Sequence, residues 1–458
     1  MKKWIGDKKF YLMVLGIAVP IMVQNGITNF VAMLDNIMIG LVGTGEMSGV
    51  AVVNQLMFVF NISIFGMVSG AGIFGAQFYG NRNMEGLRNT FRFKIISCTL
   101  LAVLGMAVMH LGGEQLISLY LHEEGDSAHV AQTLAFGKKY LRIMLLGLIP
   151  FAFAQVYAST LREMGETAAP MRAGVIAVIT NTVLNYILIF GKFGMPRLGV
   201  EGAAIATVIS RYVECAMIML WTHRRSEELQ FIRGAYQTLR MPGNLTAKIL
   251  IKGSPLAVNE MLWSLGMAFL TQCYSTYGLD VIAALNISNT IANVCNVVWM
   301  AMGNAIAIIV GQLLGAGKLK EARETDNRLI FFAVASCLVV GTLLAGLSFV
   351  FPDIYNTSTE IRRLAGKLIL VEACFMPVRA FLHAAYFTLR SGGKTVITFL
   401  FDSVFLWAFS IPLAFVLSRF TGLEIMQTYV LCQCVDLLKC ALGYILVKKG
   451  VWMENIVG

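Results

Sequence analysis

One carboxylate, Asp35, stands deep in a long apolar segment between Leu34 and Asn36, with no Lys or Arg one helical turn away. An ionisable group there is costly in hydrocarbon unless it meets a cavity, a cation or a partner. The chemistry open to it is reversible cation binding, of a proton or of sodium. Asn181 and Asn185, four residues apart, share one helix face, and Thr207 lies in the next apolar segment. Amide and hydroxyl oxygens beside a carboxylate suit a hard cation, or a hydrogen-bond network that answers to protonation. Two Asn on one helix also serve as interhelical glue. Glu260, five residues after Pro255, is a second lone carboxylate. Glu372 and Arg379 are seven residues apart, two turns along one face, and His383 follows one turn later. They read as a structural ion pair, or as a charged cavity wall in which Arg379 attracts anions or tunes Glu260 or Glu372. Asn54 and Asn61, and in a later segment Asn286, Asn289, Asn293 and Asn296, form polar stripes that line a cavity or stitch helices together. Pro20, Pro255 and Pro377 free backbone carbonyls and can bend helices. A bend at Pro20 would couple the state of Asp35 to the shape of the first half of the chain.

The elements that must hold these residues are membrane helices. The chain has 458 residues, 57% of them hydrophobic and only 14% charged, where soluble domains carry about 25% charged residues. Apolar runs of the length needed to cross roughly 30 Å of hydrocarbon recur from end to end, without the short alternating segments of a membrane β-barrel. The fold class is therefore an all-α polytopic membrane protein of about twelve helices. They are expected near 10–40, 47–79, 93–112, 133–160, 168–191, 199–222, 248–277, 280–314, 329–351, 361–389, 395–418 and 424–447. The basic start (Lys2, Lys3, Lys8, Lys9) leads into the first of these rather than into a cleavable signal peptide. With residue 1 placed inside, inside segments hold 25 Lys and Arg and outside segments 9, which puts both termini in the cytoplasm. Basic cytoplasmic loops facing anionic lipid then account for the net charge of +10 without nucleic acid.

The stretch 223–247 is the most polar internal segment. It reads as a cytoplasmic linker between a first lobe, 1–222, and a second, 248–458. Its apolar residues Leu229, Phe231, Ile232, Tyr236 and Leu239 would let part of it lie at the membrane interface. The two lobes repeat. Sliding 20–92 forward by 235 positions gives twelve identities in 73 pairs. Pro20 falls on Pro255, Asn54 on Asn289, Asn61 on Asn296, Gln77 on Gln312, Gly80 on Gly315 and Arg88 on Arg323. Arg162-x-x-Gly165-x-Thr167 recurs as Arg390-x-x-Gly393-x-Thr395. Parallel repeats in a polytopic protein point to a transporter.

Other ionisable residues read as structural. Arg211 is expected to pair with Glu214 and Asp436 with Lys439, each three residues apart. Asp402 has no local partner. His122, Glu123, Glu124, Asp126 and His129 share one outside loop, read as solvated rather than metal-binding. The nine cysteines fall in helices as small apolar side chains. No HExxH, P-loop or nucleophile elbow is present, which argues against an enzyme, and a sensor would need a soluble effector domain that no segment is long enough to form.

With these residues assembled, the chain resembles the MATE family, the multidrug and toxic compound extrusion transporters of the MOP flippase superfamily. The likeness rests on Leu34-Asp35-Asn36-Ile37-Met38-Ile39-Gly40 leading to Gly45, on Gln77-x-x-Gly80, and on Leu161-Arg162-x-x-Gly165-x-Thr167. It rests also on Asn181-x-x-x-Asn185 with Ile189-x-Gly191, on Gly199-x-x-Gly202-Ala203-x-x-Ala206-Thr207, and on Leu389-Arg390-x-x-Gly393-x-Thr395. The resemblance implies two pseudo-symmetric six-helix lobes around a cavity that opens alternately to each side, in the bacterial cytoplasmic membrane. It implies a secondary active transporter, monomeric and without a cofactor, that exports organic, often cationic, small molecules against inward proton or sodium movement. Asp35 matches the first-lobe carboxylate of the family, and Asn181, Asn185 and Thr207 its polar surroundings. Any sodium would be held at Asp35. Position 185 is Asp in some members and Asn here. The NorM-type branch has a carboxylate on the seventh helix and another on the tenth. Here Glu260 lies about one turn before the first of these places and Arg379 falls at the second. That basic residue leaves open a rival class, a flippase or exporter of an anionic or lipid-linked substrate.

Overall fold

The computed structural model describes residues 4–119 and 127–458, and every regular element among them is a helix. His122, Glu123, Glu124, Asp126 and the side chain of His129 lie outside the described residues. The first half runs α1 (Lys8–Gly40), α2 (Thr44–Gly80), α3 (Met84–Ser118), α4 (Ser127–Leu145), α5 (Leu148–Glu163), α6 (Ala168–Phe190) and α7 (Val200–Arg224). The second runs α8 (Gly243–Ser275), α9 (Leu279–Gly315), α10 (Leu319–Leu347), α11 (Thr359–Ser391), α12 (Thr395–Phe420) and α13 (Ile425–Lys449). Among the described residues ten helices are long and apolar enough to cross a bilayer, and α4 with α5 forms an eleventh, broken span. The remaining helix, α8, has 33 residues but carries Lys248, Lys252, Asn259 and Glu260 and is less apolar. At 1.5 Å per residue α1 is roughly 50 Å long, more than the hydrocarbon thickness, so it tilts or protrudes. Its start is fixed by Asp7, whose Oδ1 accepts from Phe10 N at 2.8 Å.

The helix expected at 133–160 is two helices bent by 50°. Pro150 is the cause: it has no N–H for the carbonyl of Leu146. That carbonyl accepts instead from Tyr212 Oη at 3.2 Å, and Gly147 O from Arg211 Nη1 at 3.4 Å. Arg211 also lies over the Phe151 ring at 5.0 Å. The expected Arg211–Glu214 ion pair is not formed among the described residues, because Arg211 serves the break. Tyr212→Phe is expected to cost about 1 kcal/mol, the usual worth of one hydrogen bond, and thermal unfolding of the purified variant checks it.

The chain divides into two compact units. Unit one is Met1–Met22, Ala76–Asn83 and Leu250–Gly458, and unit two is Val23–Gly75 and Met84–Ile249. Three helices are thus shared. The start of α1 packs in unit one, where Phe10, Val14, Ile17 and Ile21 meet Ala305, Ile306 and Ile309 of α9 and Ala385 and Leu389 of α11 in one core. The last turn of α2 belongs to the same unit. A Cβ on Gly80 would overlap the backbone of Gln312, and one on Gly315 that of Gln77, so the ends of α2 and α9 touch backbone to backbone. The repeated Gln-x-x-Gly signature is this crossing. The other repeated motif ends helices: Gly165 and Gly393 both take positive φ, +89° and +71°, which lets the chain turn sharply into α6 and α12.

Beyond α13 the segment 450–458 is irregular yet anchored within unit one. Gln77, fully buried, donates from Nε2 to Ser391 O at 2.9 Å and Glu454 O at 3.2 Å, and its Oε1 accepts from Ile456 N at 2.9 Å. Asn455 Nδ2 donates to Gly315 O at 3.1 Å. Glu454 pairs with Lys394 and, at 3.8 Å, with Lys252. The hydrogen bond from Lys394 and the charge of both lysines hold the Glu454 carboxyl below the usual carboxylate range. Its ionic contribution is therefore complete above the ordinary carboxylate pKa and is lost only as pH falls through the lowered one.

In unit two the stretch after α7 is corrected from a membrane-surface segment to a docked one. Leu229, Phe231 and Ile232 are buried, with Phe231 edge-on to Phe91 of α3 at 5.2 Å between centroids. Arg88 donates to the carbonyls of Phe231 and Gln230, and Arg92 to those of Ala235 and Gly234, at 2.7–3.2 Å. Tyr236 and Leu239 remain exposed.

Candidate functional site

In unit two α1, α6 and α7 bring Asp35, Asn181, Asn185 and Thr207 together. Asn185 Nδ2 donates to Asp35 Oδ1 at 2.5 Å. Asn181 and Asn185 are buried, Asp35 and Thr207 half-buried. The Asn181 amide has two orientations with different consequences. In one, its oxygen accepts from Asn185 Nδ2 and its nitrogen donates to Thr207 Oγ1, both at 3.2 Å. In the other, its nitrogen donates to Asp35 Oδ1 at 3.0 Å and Oδ2 at 3.2 Å, and its oxygen accepts from Thr207 Oγ1 at 3.2 Å. The second suits an ionised carboxylate. The first sets oxygen against oxygen, so the second, which satisfies both ends of the amide, is favoured. Asn185 Oδ1 is buried without a hydrogen-bond partner among the described residues, and no Lys or Arg ion-pairs with Asp35 among them. A carboxylate, two amides and a hydroxyl in contact are donors of the kind that suit a hydrogen-bond network or a hard cation.

Sequence reasoning missed Tyr140. Buried on α4, it donates from Oη to Asn54 Oδ1 at 3.4 Å and lies beside Thr207. Asn54 is thereby bound to a neighbouring helix, while Asn286, Asn289 and Asn293 on α9 are exposed.

In unit one the candidates separate into two clusters. Glu260 Oε1 accepts from Tyr386 Oη at 3.3 Å. Asn259 Nδ2 donates to Tyr386 Oη at 3.3 Å and to Asp402 Oδ2 at 3.2 Å. Asp402 Oδ1 pairs with Lys439 Nζ at 2.7 Å. Asp402 sits where α12 widens into π-helical turns over Leu400–Val404, which free the Ser403 N–H to donate to Asn259 Oδ1 at 3.2 Å. The expected Asp436–Lys439 pair is thus corrected to Asp402–Lys439. The second cluster is a closed ion pair. Arg379 clasps Glu372 through both guanidinium ends. Tyr429 Oη donates to the same carboxylate, and Gln433 bridges the pair, donating to Glu372 at 3.2 Å and accepting from Arg379 at 3.1 Å. Asn289 joins neither cluster. Pro20 lies inside α1, two residues before the helix passes from unit one to unit two.

The family model MatE matches residues 20–187 and 255–416. The chain belongs to the MatE family. The two matched stretches open on Pro20 and Pro255, the pair of positions that the internal repeat aligns. Similar MatE proteins include the probable multidrug resistance protein YoeA of Bacillus subtilis, 26% identical over 422 residues that cover 90% of this chain and 88% of that one. The probable multidrug resistance protein NorM of Thermotoga maritima is 24% identical over 450 residues, 96% of this chain and 93% of its own. Among solved structures, a MATE transporter of Vibrio cholerae, VcmN, shares the fold with a TM-score of 0.86 at 17% identity, covering 98% of each chain. A MATE protein in complex with MaL6 does so at 0.85 and 18%, covering 98% of this chain and 97% of the other. As a MatE protein the chain is a multi-pass membrane protein and a secondary transporter, not an enzyme.

Proposed function

We propose that this transporter is a cation-coupled antiporter. It exports organic, mostly cationic compounds across the cytoplasmic membrane by alternating access, as a proton or sodium ion moves inward by way of Asp35. The observation that carries this reading is the Asp35–Asn185–Asn181–Thr207 cluster, a carboxylate with no Lys or Arg ion pair among the described residues, faced by the amides of Asn185 and Asn181. A cation reaching Asp35 would turn Asn181 and change what α1 is bonded to. Pro20 supplies a weak point between the two anchored stretches of that helix. Coupling then needs only that cation and cargo prefer opposite states, or compete for one site. Export of drugs is supported by relatives named as multidrug resistance proteins. In this reading the lobes are 1–222 and 248–458, both termini are cytoplasmic, the protein works as a monomer, and Glu260, Glu372, Arg379 and Asn289 line the second lobe's share of the path. The rival reading, export of an anionic or lipid-linked substrate, relied on a free Arg379, and its clasp on Glu372 removes that support.

The test is ethidium efflux from proteoliposomes holding the purified protein, under an imposed proton gradient and separately under an imposed sodium gradient. Efflux driven by one gradient and not the other names the ion. No efflux under either, with folded protein, overturns the reading.

A further inference from the structure

The last turn of α2 is held by a part of the chain that the transport reading leaves without a task. Residues 44–75 of this helix belong to unit two, whereas Ala76–Asn83 belongs to unit one. In unit one the turn meets Gln312 and Gly315 of α9, and it meets residues 454–456 through Gln77, whose buried amide uses both ends on backbone groups of Ser391, Glu454 and Ile456. The same short segment reaches the other repeated motif: Glu454 pairs with Lys394, and the Trp452 carbonyl rests where a Cβ on Gly392 would be. Trp452 itself is buried. From Met453 onward the segment has no helix of its own and is only partly buried, up to an exposed Gly458. Its hold on α2 thus consists of a few side-chain bonds and not of core packing, a combination suited to release.

We propose that residues 454–458 are a releasable strap within unit one, and that its hold sets how readily the last turn of α2 opens. The strap is only partly buried and bonds α2 through one side chain, Gln77, while Glu454 ties it to Lys394 and Lys252.

Amide hydrogen exchange of the full chain in nanodiscs tests this, and it requires neither substrate nor gradient, so its outcome is independent of whether ethidium is carried. Ending the chain after Met453 keeps Trp452 and removes the strap. Exchange in 76–83 is expected to rise about tenfold, as for loss of one to two net hydrogen bonds, while exchange in 301–310 of the unit-one core stays unchanged. Ile456→Pro, which removes the N–H donor to Gln77 together with the Ile456 side chain near Gly393, is expected to give a smaller rise in the same peptide and serves alone if the shortened chain does not fold. An unchanged 76–83, or a rise spread evenly through unit one, overturns the proposal.

Discussion

Asp35→Asn is expected to abolish gradient-driven efflux and leave the protein folded. The two side chains have nearly the same shape, and an Asn at position 35 can still hydrogen-bond Asn185 and Asn181, so the contacts between α1 and α6 survive. What is lost is the charge. An amide neither takes up a proton near neutral pH nor balances sodium, so the cation no longer favours one state of the transporter over another. A ligand moves a conformational equilibrium only by as much as its affinities for the two states differ. Efflux under the imposed gradient should therefore fall to the leak rate of empty vesicles, while unfolding temperature and elution on gel filtration stay near those of the unaltered protein. Wild-type-like efflux by the variant would remove Asp35 from the mechanism.

The largest effect on stability is expected from Lys94→Met. Lys94 is fully buried at the start of α3, with Nζ 2.5 Å from Glu163 Oε1 and within 3.3 Å of the Ser159 and Thr160 hydroxyls. The Glu163 carboxylate is wedged against Gly72 and Gly75, where any Cβ would meet its oxygens. Removing Lys94 takes the ammonium away from a buried carboxylate, which keeps the Ser159 hydroxyl at 2.5 Å. Such losses cost about 3–5 kcal/mol, whereas replacing both partners by groups of similar volume is often neutral. Lys94→Met alone should lower the unfolding temperature sharply, and Lys94→Met with Glu163→Gln should recover most of the loss. A double variant as unstable as the single would show that something other than loss of the ammonium beside Glu163 is responsible.

Neither partner of that pair stands out in the sequence, and the reason is instructive. Lys94 lies near the inner end of an apolar run, where counting bases by side treats every Lys as a solvated loop residue. The charge count succeeds as a sum and fails for the one member that points inward. The helices themselves were legible, because a run of twenty apolar residues has few alternatives. The break in 133–160 was signalled by Pro150, three residues after Gly147, yet the apolar composition continues unbroken across it. Asp402 and Lys439 find each other across 37 positions, and local spacing offered Lys439 only Asp436. The Asp35 cluster was legible because each member is a polar residue on its own in hydrocarbon. Its geometry was not, since Asn181 reaches Thr207 through the packing of α6 on α7.

The crossing of α2 with α9 has a historical side. Gln77 and Gly80 meet Gln312 and Gly315, each glycine leaving room for the other helix's backbone, and the two pairs are copies of one motif. A surface that fits a duplicate of itself is what a half-length ancestor would have presented to its twin in a symmetric homodimer. Such a contact needs no second kind of partner, and duplication with fusion of one half-length chain would tie the twins into one polypeptide. The two copies keep this crossing and differ at the cation-site candidate: position 35 is Asp and its counterpart, position 270, is Leu. The present chain can be read as a dimer whose subunits share a backbone and have since specialised.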